Sequence, residues 1–229
     1  MRLDKFVCHT AGYSRLEARR LVKARRVSVN GSICRDFGYS LVEGDAVCLD
    51  GEPLQLAGPR YFLLNKPVGY VCATQDGEHP TVLDLLHEPR KQELHIAGRL
   101  DIDTTGLVLI TDDGQWSHRV MSPKHESKKT YLVETADPID ERVISLFYEG
   151  VMLNGEDKPT LPAELIILAP HKAELSLCEG RYHQVKRMFA AVGNRVTQLH
   201  RQSIGEIQLD ASLAVGSYRI LSKQEISFF

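Results

Sequence analysis

The first fifty or so residues carry a pattern of short helices followed by short strands. Apolar residues at helical spacing predict a helix over residues 2–10. Ser14 and Glu17 stand three residues apart in the arrangement of a capping box, which predicts a second helix over residues 14–24. Asn30-Gly31 lies between two short apolar runs and is the strongest short-range signal for a β-hairpin. This order of elements predicts a small N-terminal module.

Beyond residue 60 the apolar residues gather into longer runs that predict the strands of a larger domain. The runs cover residues 60–64, 107–110, 129–134, 163–168 and 173–178. A short helix is predicted over residues 81–86. A further helix is predicted near residues 185–192, where four apolar residues share one face, and Gly193 follows as a natural terminator.

The composition is that of an ordinary globular protein, with 43% hydrophobic and 25% charged residues. The five cysteines are scattered and no two form a Cys-x-x-Cys pair, which argues against a disulfide framework or a zinc site and favours a reducing compartment. The charged N-terminus and the absence of a long apolar run predict neither a signal peptide nor a membrane span. We therefore expect the cytoplasm as the location.

The net charge of −2 conceals two strongly basic segments. Residues 15–26 contain six Lys and Arg residues against one acid, and residues 181–201 contain five and no acid. On the predicted second helix, one stripe at about 100° per residue holds Arg15, Arg19, Lys23 and Arg26. Clustered cations without aromatic neighbours indicate contacts to phosphate more than to bases.

The stretch from Gly98 to Asp112 holds the strongest candidate for chemistry. Asp101 follows a short apolar segment and precedes a polar turn that leads into a predicted strand. A carboxylate held on a rigid turn beside a strand is well placed to act as a nucleophile or base. The acids also approach the spacing of a calcium loop, but that interpretation is opposed by Thr at loop position five, Asp at position twelve and strand-like flanks. Two alternatives remain: Asp101 and Asp103 could be the paired carboxylates of a glycosidase, or the segment could be a turn with a purely structural role.

Three segments resemble motifs of the pseudouridine synthases that modify ribosomal RNA. Residues 98–107, Gly-Arg-Leu-Asp-Ile-Asp-Thr-Thr-Gly-Leu, resemble the catalytic motif of that family. Residues 65–69, Asn-Lys-Pro-Val-Gly, resemble its first motif, and residues 180–186, Gly-Arg-Tyr-His-Gln-Val-Lys, resemble its third. Residues 1–55 resemble the S4 RNA-binding domain through the capping-box segment, the Asn-Gly hairpin and Gly44-Asp45.

The resemblance implies an α+β protein with two domains. We expect an S4-like RNA-binding domain at residues 1–55, a linker at 56–60 and a pseudouridine synthase catalytic domain at 61–229. In this family the catalytic domain has a mixed, mostly antiparallel sheet with the cleft across its middle.

For the site, the resemblance implies that Asp101 is the catalytic nucleophile and Lys186 the cation that keeps it ionised and oriented. Tyr131 is implied as the ring on which the detached base stacks. Many family members have Arg at the position of Lys186. The expected substrate contacts are Arg99, Arg181, His183 and Arg187. The expected RNA-binding cations of the N-terminal module are Arg15, Arg19, Arg20, Lys23 and Arg26.

The implied reaction converts one uridine of 16S ribosomal RNA, within a small-subunit assembly intermediate, to pseudouridine. It breaks a C–N bond and forms a C–C bond, so it requires no cofactor and no metal. We expect a monomer that makes no membrane contact. Asp101 could attack C1′ of the ribose, assist loss of a proton there, or add to C6 of the base, and the sequence does not decide among these. Two alternative functions also stay open: a synthase that acts on 23S rRNA, and a noncatalytic RNA-binding or ribosome-assembly protein.

Overall fold

The structure is a computed structural model and describes residues 1–55, 58–122 and 127–229. The chain divides into two compact units, Met1–Gly58 and Pro59–Phe229. The division falls within the expected linker at 56–60, of which Leu56 and Ala57 lie outside the described residues. Each unit has its own buried apolar cluster, as expected of a folding domain.

The N-terminal unit packs two helices against a small antiparallel sheet. Its elements are α1 (Leu3–Ala11), α2 (Arg15–Lys23), β1 (Val27–Val29), β2 (Ser32–Ile33), β3 (Val47–Leu49) and β4 (Glu52–Leu54). The predicted capping box is present, since the Glu17 amide donates to the Ser14 hydroxyl at 3.3 Å and the Ser14 amide donates to the Glu17 carboxylate at 2.8 Å. Asn30 and Gly31 have φ of 51° and 79°, as the predicted hairpin turn requires.

The second unit is built on one large sheet. Its described strands are β5 (Tyr61–Lys66), β6 (His95–Ala97), β7 (Thr105–Thr111), β8 (Lys129–Thr135), β9 (Ala163–Ala169), β10 (Lys172–Leu177), β11 (Val196–Ile204), β12 (Ile207–Gln208) and β13 (Tyr218–Ile220). Their order is β13-β5-β7-β11-β8-β10-β9, with β6 beside β7 and β12 beside β11. Strands β7 and β11 pair in parallel, and the other described pairs are antiparallel. The mixed, mostly antiparallel sheet of the expected α+β fold is confirmed.

Alternate residues of the central strands enter two different cores. Phe62 and Val108 belong to one buried cluster, whereas Leu63 and Leu107 belong to another that includes Trp116. Since successive side chains of a strand point to opposite faces, the two clusters cover the two faces of the sheet. This double burial explains why these strands appear in the sequence as continuous apolar runs rather than as alternating ones.

Four helices and two 3-10 turns complete the described part of this unit. They are α3 (Gly114–Met121), α4 (Arg142–Glu149), α5 (Gln184–Ala191), α6 (Lys223–Ile226) and the turns Val82–Leu85 and Lys91–Glu93. The predicted helix near residues 185–192 is confirmed as α5, and Gly193 beyond it has φ of 79°. Strand β5 runs two residues past its predicted end, through buried Asn65 and Lys66. No helix in the described part of the chain is long and apolar enough to span a bilayer.

Candidate active site

Asp101 lies in a turn between β6 and β7, next to the centre of the large sheet. The Thr104 amide closes the turn by donating to the Asp101 carbonyl at 3.1 Å. Before the turn, the Leu100 amide donates to the sulfur of buried Cys72 at 3.3 Å, and burial raises the pKa of that thiol. These contacts fix the backbone on both sides of Asp101, so the carboxylate is presented from a rigid support.

Lys66, at the end of β5, supports the same turn. Its side chain is fully buried, and its ammonium donates to the carbonyls of Pro67 at 2.9 Å, Ile102 at 3.2 Å and Thr104 at 2.7 Å. Burial lowers the pKa of Lys66, and the three carbonyl oxygens offset the cost of the buried charge. Lys66 therefore ties residues 65–69, which resemble the first motif of the family, to the turn that carries Asp101.

The ammonium of Lys186 is shared between two carboxylates. It lies 2.9 Å from Asp101 Oδ2 and 2.6 Å from Asp103 Oδ1. The contact with Asp101 was expected, whereas the contact with Asp103 was not. Val185 and Met188 of α5 are buried, so the predicted apolar face of this helix packs against the core, and Lys186 lies beside it.

The charges of this cluster stabilise one another. Partial burial acts to lower the pKa of Lys186, but its hydrogen bonds to Asp103 and Asp101 outweigh burial and raise that pKa. Partial burial acts to raise the pKa of Asp103, and the Lys186 ammonium overcomes it and lowers that pKa. The ammonium therefore stays protonated at neutral pH beside an ionised Asp103.

His183 approaches Asp101 from the start of α5. Its Nε2 lies 3.5 Å from Asp101 Oδ1, and its backbone has a left-handed φ of 48°. The ring of Tyr182, which is 73% exposed, stacks on the His183 ring with centroids 3.8 Å apart. Left-handed backbone is unfavourable for a residue other than glycine and tends to be retained at functional sites.

A cleft of about 640 Å³ passes Asp101 over the middle of the sheet. Its lining includes Lys129 and Tyr131 of β8, Arg201 of β11 and the exposed Arg99. Tyr131 is 9% exposed, and its ring centroid lies 6.0 Å from the guanidinium carbon of Arg201. Tyr131 is thus both a residue of the buried core and part of the wall of the cleft.

Arg181, one of the expected substrate contacts, is engaged within the protein. Its guanidinium is 3.1 Å from the Glu179 carboxylate and donates to the carbonyls of Lys158 at 2.9 Å and Pro159 at 2.6 Å. The sequence shows no acid between residues 181 and 201, but the fold brings acids from outside that range. Substrate binding by Arg181 stays a prediction.

Arg187 is engaged in the same way. It donates to the Glu156 carboxylate at 2.9 Å, the Asn154 carbonyl at 2.7 Å and the Tyr182 carbonyl at 3.1 Å. It therefore ties α5 to the loop that follows α4, and its expected role in substrate binding also stays a prediction. Within the described residues, no group of three or more His, Cys, Asp or Glu side chains is placed to hold a metal ion.

In the N-terminal unit, the basic stripe is organised around the buried carboxylate of Asp4. Arg19 Nε lies 2.9 Å and Arg15 Nε 3.4 Å from this carboxylate, whose side chain is fully buried. Arg19 and Lys23 also lie over the Phe37 ring, at 5.1 Å and 5.6 Å from its centroid. The side chains of the stripe are therefore fixed by contacts with Asp4 and Phe37 rather than free in solvent. No signal in the sequence indicated this role of Asp4.

Arg26 does not belong to the helical stripe on which the sequence analysis placed it, and that prediction is wrong. Helix α2 ends at Lys23, and Arg25 has a left-handed φ of 63° that redirects the chain. Arg26 then forms an ion pair with Asp50, in the turn between β3 and β4. Arg20 is exposed on α2.

Comparisons with known proteins agree with this architecture. A family model described as RNA pseudouridylate synthase matches residues 60–191, and the S4 domain model matches residues 1–47. The protein named ribosomal small subunit pseudouridine synthase A from Escherichia coli (strain K12) is 55% identical over 228 residues, which are 99% of both chains. The protein of the same name from Haemophilus influenzae is 48% identical over 227 residues, covering 99% of this chain and 98% of the relative.

The structure of this chain is also similar to a solved structure of the same family. It is described as the crystal structure of a pseudouridylate synthase, has a TM-score of 0.72 and 47% sequence identity to this chain, and the match covers 99% of this chain and 98% of that one. With the motif residues assembled at one cleft and both domains matched, the chain belongs to the RNA pseudouridylate synthase family, with an S4 domain at its N-terminus.

Proposed function

We propose that this protein isomerises one uridine of small-subunit (16S) ribosomal RNA to pseudouridine, with Asp101 as the catalytic nucleophile. The observation that supports the chemistry is the Asp101 carboxylate at the cleft with the Lys186 ammonium 2.9 Å away. The proposed substrate rests on relatives of 48% to 55% identity that match over nearly their whole length and are named for the small subunit. Production of pseudouridine in 23S rRNA would contradict this assignment.

Asp101 is suited to nucleophilic attack because its carboxylate is partly exposed and rigidly held. Its side chain is 27% exposed, so a ribose or base atom has access to it. Lys186 favours the ionised form of a nearby carboxylate and fixes its orientation, which is what a nucleophile of this type requires. Attack at ribose C1′, assistance of proton loss there and addition at C6 of the base are all compatible with this placement.

The remaining residues of the cleft have roles that follow from their positions. Tyr131 offers a ring on which the flipped base stacks, which keeps the detached uracil in place. Arg99 is exposed two residues before Asp101 and is placed to contact a neighbouring phosphate or fill the space that the base vacates. His183, at 3.5 Å from Asp101, is placed to contact the ribose. The reaction only rearranges bonds of the substrate, so the proposal includes no cofactor.

RNA binding is assigned in part to the N-terminal domain. Arg15, Arg19, Arg20 and Lys23 present positive charge from one helix, and such clusters bind phosphates without reading sequence. Arg26 is left out because it is paired one-to-one with Asp50, whereas Arg15 and Arg19 share the single carboxylate of Asp4 and keep a net positive charge. We propose that the protein acts as a monomer on rRNA within a small-subunit assembly intermediate.

The test is a map of pseudouridine in small-subunit rRNA by carbodiimide modification and primer extension. Cells without the gene should lack one pseudouridine, and the unaltered protein should restore it. Asp101→Asn should lower turnover by about 10³-fold or more while RNA affinity and thermal stability persist. Asp103→Asn, the matched carboxylate two residues away, should keep substantial activity. Near-normal turnover of Asp101→Asn, or an unchanged pseudouridine map without the gene, would refute the proposal.

A further inference from the structure

Two cations line the cleft beside Tyr131 and have been given no role so far. Lys129 of β8 and Arg201 of β11 both line the cleft that contains Asp101. Lys129 is half-buried, and Arg201 is only 2% exposed. Charged side chains at such depth normally have a carboxylate partner.

Within the described residues, neither cation has a carboxylate partner. Arg201 donates to the carbonyls of Leu107 at 2.8 Å, Gly98 at 2.8 Å and Arg99 at 3.4 Å, so its hydrogen bonds are satisfied but its charge is not neutralised. The Lys129 ammonium has no hydrogen-bond acceptor and no ion-pair partner among the residues that the structure describes, although the Lys129 backbone is paired within the sheet. Burial lowers the pKa of Lys129, and the positive charge of Arg201 lowers it further. Carbonyl oxygens offset part of the cost of the buried Arg201 charge, whereas the cost of the half-buried Lys129 charge is not offset by any contact among the described residues.

Both cations adjoin the ring on which the base is proposed to stack. Arg201 is the cross-strand partner of Tyr131, and its guanidinium carbon is 6.0 Å from the ring centroid. Lys129 lies two residues before Tyr131 on the same strand, so the two side chains share a face and are separated by about 7 Å along the strand. A uracil on Tyr131 therefore has its edge within reach of the Lys129 ammonium.

We infer that Lys129, in the field of Arg201, binds the anionic form of the uracil after its bond to the ribose has broken. When the C1′–N1 bond breaks, its electron pair stays on N1 and is delocalised onto O2 and O4 of the base. The ammonium donates to this delocalised charge without transferring a proton. Where Asp101 attacks C1′, its carboxylate forms an ester bond to C1′ as the bond to N1 breaks, and that ester holds the ribose while the base turns. C5 then bonds to C1′ as the ester bond breaks and the Asp101 carboxylate is released. The C5 hydrogen leaves as a proton and N1 takes one up, so atoms and charge balance.

This inference rests on the proposed isomerisation and adds a specific role for Lys129 to it. The negative charge on the base is absent from the bound uridine and develops as the bond breaks. An interaction with a charge that develops only then accelerates the reaction without tightening substrate binding. Arg201 acts as a positioning residue, because its contacts fix the backbone of Gly98 and Arg99 ahead of Asp101.

The experiment compares two substrates that differ in the stability of the base anion. Small-subunit rRNA transcripts are made with uridine or entirely with 5-fluorouridine, whose base is the more stable anion, and are assembled with small-subunit ribosomal proteins into an intermediate before the protein is added. Single-turnover cleavage of the glycosidic bond is measured with the unaltered protein, Lys129→Met and Lys129→Arg. The control is Lys128→Met, because Lys128 is an adjacent lysine that is 47% exposed and paired with Glu164.

With uridine, Lys129→Met should slow cleavage by about 10²-fold while RNA affinity is unchanged. With 5-fluorouridine the deficit should shrink to about 10-fold or less, because the anion then needs less stabilisation. Lys129→Arg should fall between Lys129→Met and the unaltered protein, and Lys128→Met should match the latter. An equal deficit on both substrates, or no deficit on either, overturns the inference. Absence of pseudouridine with the unaltered protein would instead overturn the proposed function.

Discussion

At the scale of single residues, the site depends on a lysine that contacts two carboxylates. Lys186 is bound to Asp101 and Asp103 at once, so its charge is distributed between the proposed nucleophile and an acid that is 63% exposed. The second contact is the shorter of the two, but its exposure to water reduces its energetic value. The contact with Asp101, whose side chain is 27% exposed, is therefore the more consequential for the chemistry.

Two replacements of Lys186 should separate the effect of its positive charge on turnover from the effect of its shape. Lys186→Met leaves two close carboxylates without a cation, so we expect turnover to fall by about 10²-fold and the acidic limb of the pH–rate profile to move to higher pH. Lys186→Arg should stay within about 10-fold of the unaltered protein, because the charge is kept. Lys172→Met, which removes a surface lysine paired with Glu134, is the control. A profile with an unmoved acidic limb in Lys186→Met would contradict the role assigned to the ion pair.

Some residue-scale features were predictable from the sequence and others were not. The proximity of Asp101 and Lys186 was implied by the resemblance of two segments to motifs of the family. The contacts of Arg181 with the carbonyls of Lys158 and Pro159 and the buried position of Lys66 were not implied, because they are set by loops distant in sequence. A lysine or arginine in a short polar segment has the same pattern whether it is solvated or buried, so Arg201 gave no signal either.

At the scale of elements, the parallel pairing of β7 and β11 determines where the site can form. The two strands come together at Gly106, which pairs with Arg201 and has φ of 102°. Local signals such as the capping box of α2 and the Asn30-Gly31 turn were readable because they act between neighbours in sequence. This long-range pairing had no such signal, and a pattern of apolar residues cannot specify which strands become neighbours.

Gly106 should not tolerate a side chain. A Cβ atom there would lie 2.3 Å from the Arg201 carbonyl oxygen, and φ is in the region that favours glycine. We expect Gly106→Ala to lower the free energy of unfolding by about 3 kcal/mol or more. Gly114→Ala, in the first turn of α3 with no atom within 4 Å of the added Cβ, should change it by no more than about 1 kcal/mol. Urea unfolding of both variants checks this, and equal stabilities would show that β7 and β11 are not so closely packed.

The C-terminal helix α6 should make stability depend on pH. Two hydrogen bonds from Arg219, at 2.6 Å and 2.9 Å, lower the pKa of Glu225 to about 2. Since the folded-state pKa is depressed, this contribution is fully present above about pH 4.5, the value of an ordinary glutamate, and is lost as the pH falls toward 2. Glu225→Gln should therefore cost about 1 to 3 kcal/mol at pH 7 and progressively less below pH 4.5. Thermal unfolding across this range measures it.

The matched control for Glu225 is Glu206→Gln. Glu206 is exposed and its carboxylate has no partner within the described residues. Its replacement should leave the dependence of unfolding temperature on pH unchanged. If the deficit of Glu225→Gln were the same at pH 7 and pH 2.5, the ionised pair with Arg219 would not be its cause.

At the scale of the whole molecule, the two units have separate cores, and the cations of each unit have different surroundings. In the N-terminal unit, Arg15, Arg19 and Lys23 of α2 lie around Asp4 and Phe37. In the second unit, Lys129 and Arg201 line the cleft that contains Asp101, and Lys186 contacts the Asp101 carboxylate. The order of these modules and their approximate boundary were predictable, because the change from short elements to long apolar runs is a property of the chain itself. The balance of charge in each unit was not, since acids such as Asp4 and Asp50 find their partners only after folding.

Loss of the helix α2 cations should weaken RNA binding in a way that salt reveals. Arg19→Ala combined with Lys23→Ala removes two cations that contact phosphate in the proposed function, so affinity should fall for all RNA sequences alike. The slope of log affinity against log salt should become shallower by about one unit per lost phosphate contact. The control is Arg142→Ala with Lys172→Ala, which changes net charge equally but removes cations paired with Asp140 and Glu134 in the second unit. Equal slopes for the two double variants would mean that net charge, rather than the arrangement on α2, governs binding. A shallower slope only for the α2 variant would locate the phosphate contacts on that helix.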